Sequence, residues 1–187
     1  MMGPGVRKGV LAAHLVASVG WLGAVGAFLP LAIVGLTSRD PQLVRGLYLS
    51  LELITRFVLV PLSIASLVTG IIQSLGTSWG LFRYWWVIAK LVLVIPATAL
   101  LLLHTQPIYH LGSVAVTAGF AANDLVESRG QLVFDAAAAL LVLLVVTLLS
   151  VYKPRGVTGY GKRKLLESRL DATAVVDQHR RAQRGRS

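Results

Sequence analysis

Four long apolar runs, separated by short polar punctuation, dominate this chain. They cover about residues 8–36, 43–75, 83–104 and 132–152. Each is long enough to cross a bilayer's hydrocarbon core, which takes roughly 20 helical residues. Turn chemistry marks their ends: Ser38-Arg-Asp-Pro41, Gly76-Thr-Ser-Trp-Gly80 and Lys153-Pro-Arg-Gly156. The second run is longer than a crossing needs. Its uncharged part is Phe57–Leu75, so Glu52 and Arg56 at its beginning belong near an interface. Pro30, Pro61 and Pro96 fall inside the first three runs, where neighbouring helices re-satisfy the freed carbonyls and kinks are expected. Gly20, Gly23, Ala24 and Gly26 thin the first run for close helix contact. The pattern predicts an all-α, polytopic membrane four-helix bundle.

Composition supports that class. The chain has 187 residues, 55% hydrophobic and 14% charged, with mean hydropathy +0.71. It lacks cysteine, which excludes disulfides, thiolate metal sites, iron–sulfur clusters and covalently attached c-type haem. Arg7 and Lys8 precede the first run in the manner of a signal peptide. That run continues from Val10 to Leu36 without a small-residue cleavage pattern, so an uncleaved first span is the better reading.

The net charge of +10 is unevenly placed. From Lys153 onward, ten Lys/Arg against three Asp/Glu give +7, and residues 1–152 hold the remaining +3. No nucleic-acid partner is supported by the first 152 residues. A basic tail, 153–187, lying on anionic lipid head groups of the cytoplasmic leaflet is the natural reading. Within it, 161–182 is predicted as a frayed helix and 183–187 as disordered. The long connection Thr105–Gln131 carries a small apolar stretch, Leu111–Phe120, suited to a short interfacial helix. With the N-terminus inside, Arg7, Lys8, Arg83 and the tail are cytoplasmic, whereas Arg39, Arg45 and Arg129 face outward. Four spans then return the C-terminus to the cytoplasmic side.

Against this background His14 and Lys90 stand out, because a titratable group in hydrocarbon is costly and by default faces the bundle interior. At ~1.5 Å per residue His14 lies about 9 Å inside Lys8, and Lys90 about 10 Å inside Arg83. Both therefore sit in the inner third of the bilayer. His104 follows Lys90 by about 21 Å, near the outer face with Glu52, Arg56 and Asp135. Glu52 and Arg56 are spaced to pair along one helix, and Asp135 has Arg56 or His104 within reach across the bundle. His14 and His104 are too far apart to hold one haem iron between them. The spans contain no second inner histidine, so a haem on His14 would be five-coordinate or take an unusual sixth ligand.

Each residue also has a purely structural role open to it. His14 can be a satisfied interhelical hydrogen-bonder and Lys90 can snorkel to the interface. The four outer groups can form an ion-pair network at the rim. Trp79, Tyr84, Trp85 and Trp86 suit an interfacial aromatic belt. His110 suits a solvated edge position, and His179 lies in the polar tail.

Several of these residues carry a resemblance. His14, Trp21 and Gly23 form a His-x6-Trp-x-Gly pattern in the first span. Pro61, Leu67-Val-Thr-Gly70, a Trp-rich turn and Trp86-Val-Ile-Ala-Lys90-Leu follow. This series resembles HemJ-type protoporphyrinogen oxidases and copper-resistance-protein-D-like membrane proteins. The resemblance implies a b-type haem or porphyrin held near His14 and Trp21, with Lys90 against a propionate or carboxylate. His104 is similar in position to a histidine of that family, though farther from the lysine. The Arg- and Tyr-rich continuation of the family's first span is replaced here by Gly26-Ala-Phe-Leu-Pro-Leu-Ala32, so oxidase activity does not carry over. Residues 8–160 also resemble a family of small, mainly actinobacterial integral membrane proteins. That likeness runs through Trp79-Gly-Leu-Phe-Arg-Tyr-Trp-Trp86-Val-Ile-Ala-Lys90 and Leu149-Ser-Val-Tyr-Lys-Pro154-Arg-Gly156. It implies a multi-pass protein of the bacterial inner membrane.

Three functions stay open at this point. One is a redox protein binding haem b or a porphyrin through His14, Lys90 and Trp21, with His14 on the iron and a redox partner. Another is a non-catalytic scaffold or accessory subunit, including a homo-oligomer. The third is a small proton-coupled transporter using Glu52, Arg56, Lys90, His104 and Asp135, which has little room in four spans. No nucleophile motif, phosphate loop or metal-ligand box is present.

Overall fold

The computed structural model describes residues 2–76, 81–106, 108, 126–152, 154, 156–164, 166, 167, 170, 173 and 183. Among the described residues, five α-helices and one π-helical turn make four rods. Helix α1 spans Pro4–Thr37. Helix α2, Pro41–Ile54, runs through a π turn at Thr55–Leu59 into α3, Val60–Gly76. Helix α4 is Trp85–Leu103 and α5 is Val126–Tyr152. Four rods, Pro4–Thr37, Pro41–Gly76, Trp85–Leu103 and Glu127–Tyr152, are long and apolar enough to cross a membrane. The predicted interfacial helix at Leu111–Phe120 and most of the tail lie outside the described residues.

Local chemistry explains the joints. Asp40 caps α2, its Oδ1 accepting from Gln42 N at 2.9 Å and Leu43 N at 3.5 Å, with Pro41 at the first helical position. The π turn directly precedes Pro61, whose missing N–H frees the Phe57 carbonyl and whose ring crowds it. Widening the preceding turn relieves that clash. The connection expected to run to Gln131 ends earlier, because α5 starts at Val126, ahead of the apolar run. The polar stretch Glu127–Gln131 looked like loop, yet Arg129 is buried with its guanidinium 5.4 Å from the Tyr48 ring.

Helix α1 packs on α2, α3 and α5; α3 packs on α4, and α4 on α5, which closes a ring. The α1 core stripe is Ala17, Trp21, Val25, Phe28, Ala32 and Gly35, with the three- and four-residue spacing of one helix face. At Gly35 an added Cβ would sit 3.2 Å from the Tyr48 ring, so the missing side chain lets α2 approach. Leu15, Val19, Leu103, Phe134 and Leu141 point outward. Thr55, Ser63, Ser66 and Thr98 are buried. Hydroxyls inside and hydrocarbon outside is the arrangement a lipid solvent selects.

Both described ends meet the same face of the bundle. Met2 N–H donates to the Gly76 carbonyl at 3.5 Å. Past α5, the chain doubles back on the residues before α4. Trp85 N–H donates to Gly156 O at 3.2 Å, Thr158 N–H to Arg83 O at 3.0 Å, and the Thr158 hydroxyl to Phe82 O at 2.6 Å. We call the half of the bundle beneath this face the terminal half, and the other the distal half.

Candidate functional site

The terminal half holds an open-sided cavity of about 400 Å3 whose wall takes residues from α1, α3, α4 and α5. His14, Trp21 and Lys90 all line it. The first-span histidine and third-span lysine therefore face one space from two different helices.

His14 is held from α3. Its Nδ1 lies 3.1 Å from the Ser66 carbonyl and 3.2 Å from Thr69 Oγ1. A carbonyl only accepts, so Nδ1 carries the proton and Nε2 keeps its lone pair. Among the described residues Nε2 has no hydrogen-bond partner. Ser18, one turn along α1, bonds Ser66 Oγ at 2.8 Å. Gly70 makes the room: a Cβ there would stand 3.0 Å from His14 Cε1.

Lys90 is held from α5 and from its own helix. Its Nζ donates to Ser150 Oγ at 3.3 Å and sits 4.5 Å from the Trp86 ring centroid. Ser150 in turn donates to Val146 O at 2.9 Å. Trp86, read from the sequence as part of an aromatic belt, is instead buried at 9% exposure and forms part of the cavity wall. Trp85 fits the belt, at 61% exposure, and Trp79 lies outside the described residues. Gln73, Ser74 and Thr147 add further polarity to the wall.

The outer group divides. His104 and Asp135 meet, Nδ1 to Oδ2, at 2.8 Å, and Gln131 Nε2 lies 3.2 Å from His104 Nε2. Of the two partners open to Asp135, His104 takes it. Arg56 is exposed, its guanidinium 5.6 Å from the Phe57 ring, and among the described residues it forms no ion pair with Glu52. His104 and Asp135 line a second cavity, in the distal half. His14 is the only histidine among the described residues on the wall of the first. No cluster of three or more His, Cys, Asp or Glu suited to a metal ion occurs among the described residues.

Sequence reasoning missed Ser18, Ser66, Thr69, Gln73, Thr147 and Ser150. A helical reading of hydroxyls would have found them, since Ser18 is one turn from His14, and Ser66, Thr69 and Gln73 recur at three and four residues. Arg129 gave no such signal, sitting in a stretch that reads as loop.

Together the fold and the cavity define a multi-pass helical membrane protein with a polar site inside its bundle. No protein-family model, curated protein or solved structure matches the chain.

Proposed function

We propose that this protein binds a b-type haem or porphyrin in the terminal cavity and serves a redox role in the bacterial inner membrane. The observation that carries the reading is the orientation of His14. A histidine that donates one ring N–H to a backbone carbonyl keeps the other nitrogen as a basic lone pair, which is how ligating histidines are usually held. The donor set fits such a group: His14 for the iron, Lys90 for a carboxylate, and Trp21 and Trp86 as flat apolar wall. Bound haem would supply one-electron chemistry there. The protein's own part is to fix the imidazole through Ser66 and Thr69, hold a cation opposite, and exclude bulk water.

The test is an absorption spectrum of the detergent-purified protein, oxidised and dithionite-reduced, for wild type and His14→Ala. A Soret band with a reduced α-band, lost in His14→Ala, is the expected result. A featureless spectrum from cells supplied with haem precursors sinks the reading. It would leave the scaffold alternative, which one observation favours: His14 and Lys90 already bond neighbouring helices.

The same proposal puts both termini in the cytoplasm. Arg7, Lys8, Arg83 and Lys162–Lys164 belong to the terminal face, where they suit anionic lipid. Because the chain lacks cysteine, single cysteines placed at Gly3 and at Gly159 report sidedness directly. Labelling of either by an impermeant maleimide added outside intact cells would refute this orientation.

A further inference from the structure

The distal cavity plays no part in the His14 reading. Its volume is about 360 Å3, within the range of small-molecule sites. Phe28 of α1, Leu59 of the π turn, Pro96 of α4 and Ala139 of α5 contribute to an otherwise apolar wall. Among the described residues its polar side chains are His104 and Asp135 alone. That a π turn supplies part of the wall is a second pointer, because such turns concentrate at functional sites.

The polar end has a defined sense. A carboxylate oxygen 2.8 Å from His104 Nδ1 favours the proton there, so in the neutral ring Nε2 is the acceptor, facing the Gln131 amide nitrogen at 3.2 Å. Gln131 is exposed and can be exchanged for another donor. No lysine or arginine is on this wall among the described residues, so an anionic ligand would meet Asp135 without a counter-charge. A cation would find Asp135 already paired with His104. A phospholipid chain would fill the wall but leave the imidazole unused. A neutral hydroxyl satisfies both ends, and a phenolic one is the stronger donor to an imidazole.

We propose that this cavity binds an uncharged apolar ring bearing a hydroxyl, the chemistry of a membrane hydroquinone, with the hydroxyl donating to His104 Nε2 in place of Gln131. Binding at this site requires nothing of the terminal cavity.

The experiment uses the full-length protein in phosphatidylcholine nanodiscs, under anaerobic conditions. Decylubiquinol and its bis-methyl ether are titrated against protein-loaded and empty discs. Wild type is expected to bind decylubiquinol saturably. The ether, which lacks the hydroxyl donors, and His104→Leu, which lacks the acceptor, are each expected to bind at least about tenfold more weakly. Ala139→Phe, which fills the cavity, is expected to abolish binding. Equal binding of ether and hydroquinone overturns the proposal, as does no binding beyond empty discs. The ether comparison needs no variant, so it decides the matter even if His104→Leu fails to fold.

Discussion

In the terminal half of the bundle, polar groups come from every side: Ser18 and His14 from α1, Ser66 and Thr69 from α3, Lys90 from α4, Ser150 from α5. On the wall of the distal cavity, among the described residues, they shrink to His104 and Asp135, with Gln131 beside them, at the end of an apolar space. Both arrangements answer one constraint, that a polar group withdrawn from water needs a partner. The terminal half meets it by stitching helices together, so its bonds contribute to assembly as well as to a site. The distal cavity meets it with a self-contained pair, and the rest of its wall packs by side-chain shape. Polarity at the terminal end is therefore structural and chemical at once, whereas at the distal end the two are separable.

The largest effect should come where the halves join. Trp21 is 2% exposed, packs in the core beside Val25 and also walls the terminal cavity. Trp21→Ala is expected to cost about 3–5 kcal/mol, read from denaturant or thermal unfolding in detergent. If the loss is under about 1 kcal/mol, the join does not govern the bundle and the two halves are less coupled than the packing implies.

Gly70→Ala is a more local probe of the terminal half. The new Cβ meets His14 Cε1 at 3.0 Å, and the ring must give, because its Nδ1 is tied to the same helix. An overpacking cost of about 1–3 kcal/mol is expected, together with changed imidazole nitrogen NMR shifts for His14 but not His104. Unchanged His14 shifts would mean that the ring is not wedged against α3.

Much of this contrast was readable in the sequence. Four apolar runs fixed the number of spans, because lipid tolerates only closed hydrogen-bonding of the backbone. Counting residues from Lys8 and Arg83 placed His14 and Lys90 at one depth, since helix rise is constant. Depth says nothing of azimuth, so the hydroxyls that hold these groups, and the turning of Trp86 inward, emerged only from packing. The choice of His104 over Arg56 for Asp135 is likewise a matter of which helix faces α5. The early start of α5 was hidden because Arg129, a residue that marks loops by composition, finds the Tyr48 ring. The π turn had one cue, Pro61, which predicts a disturbed helix but not its kind.

A smaller effect belongs to the distal pair. His104 and Asp135 side chains retain 26% and 21% exposure, so their coupling falls well short of that of a fully buried ion pair. A double-mutant cycle with His104→Ala and Asp135→Asn, read from unfolding free energies, should return an interaction of about 1 kcal/mol. A value near zero would make the contact incidental and remove the orientation that sets His104 Nε2 as an acceptor.

The smallest expected number is the most discriminating. His14 and His104 line different cavities and share no hydrogen-bond partner among the described residues. Pairwise terms between such sites vanish unless packing strain travels between them. In a cycle of His14→Ala with His104→Ala, the stability changes should therefore add to within about 0.3–0.5 kcal/mol. A coupling above about 1 kcal/mol would show that the halves respond as one unit, with Trp21 and Val94 as the packed residues best placed to carry the strain. In that case a ligand in either cavity would change affinity in the other by the same factor, because linkage between binding sites is reciprocal.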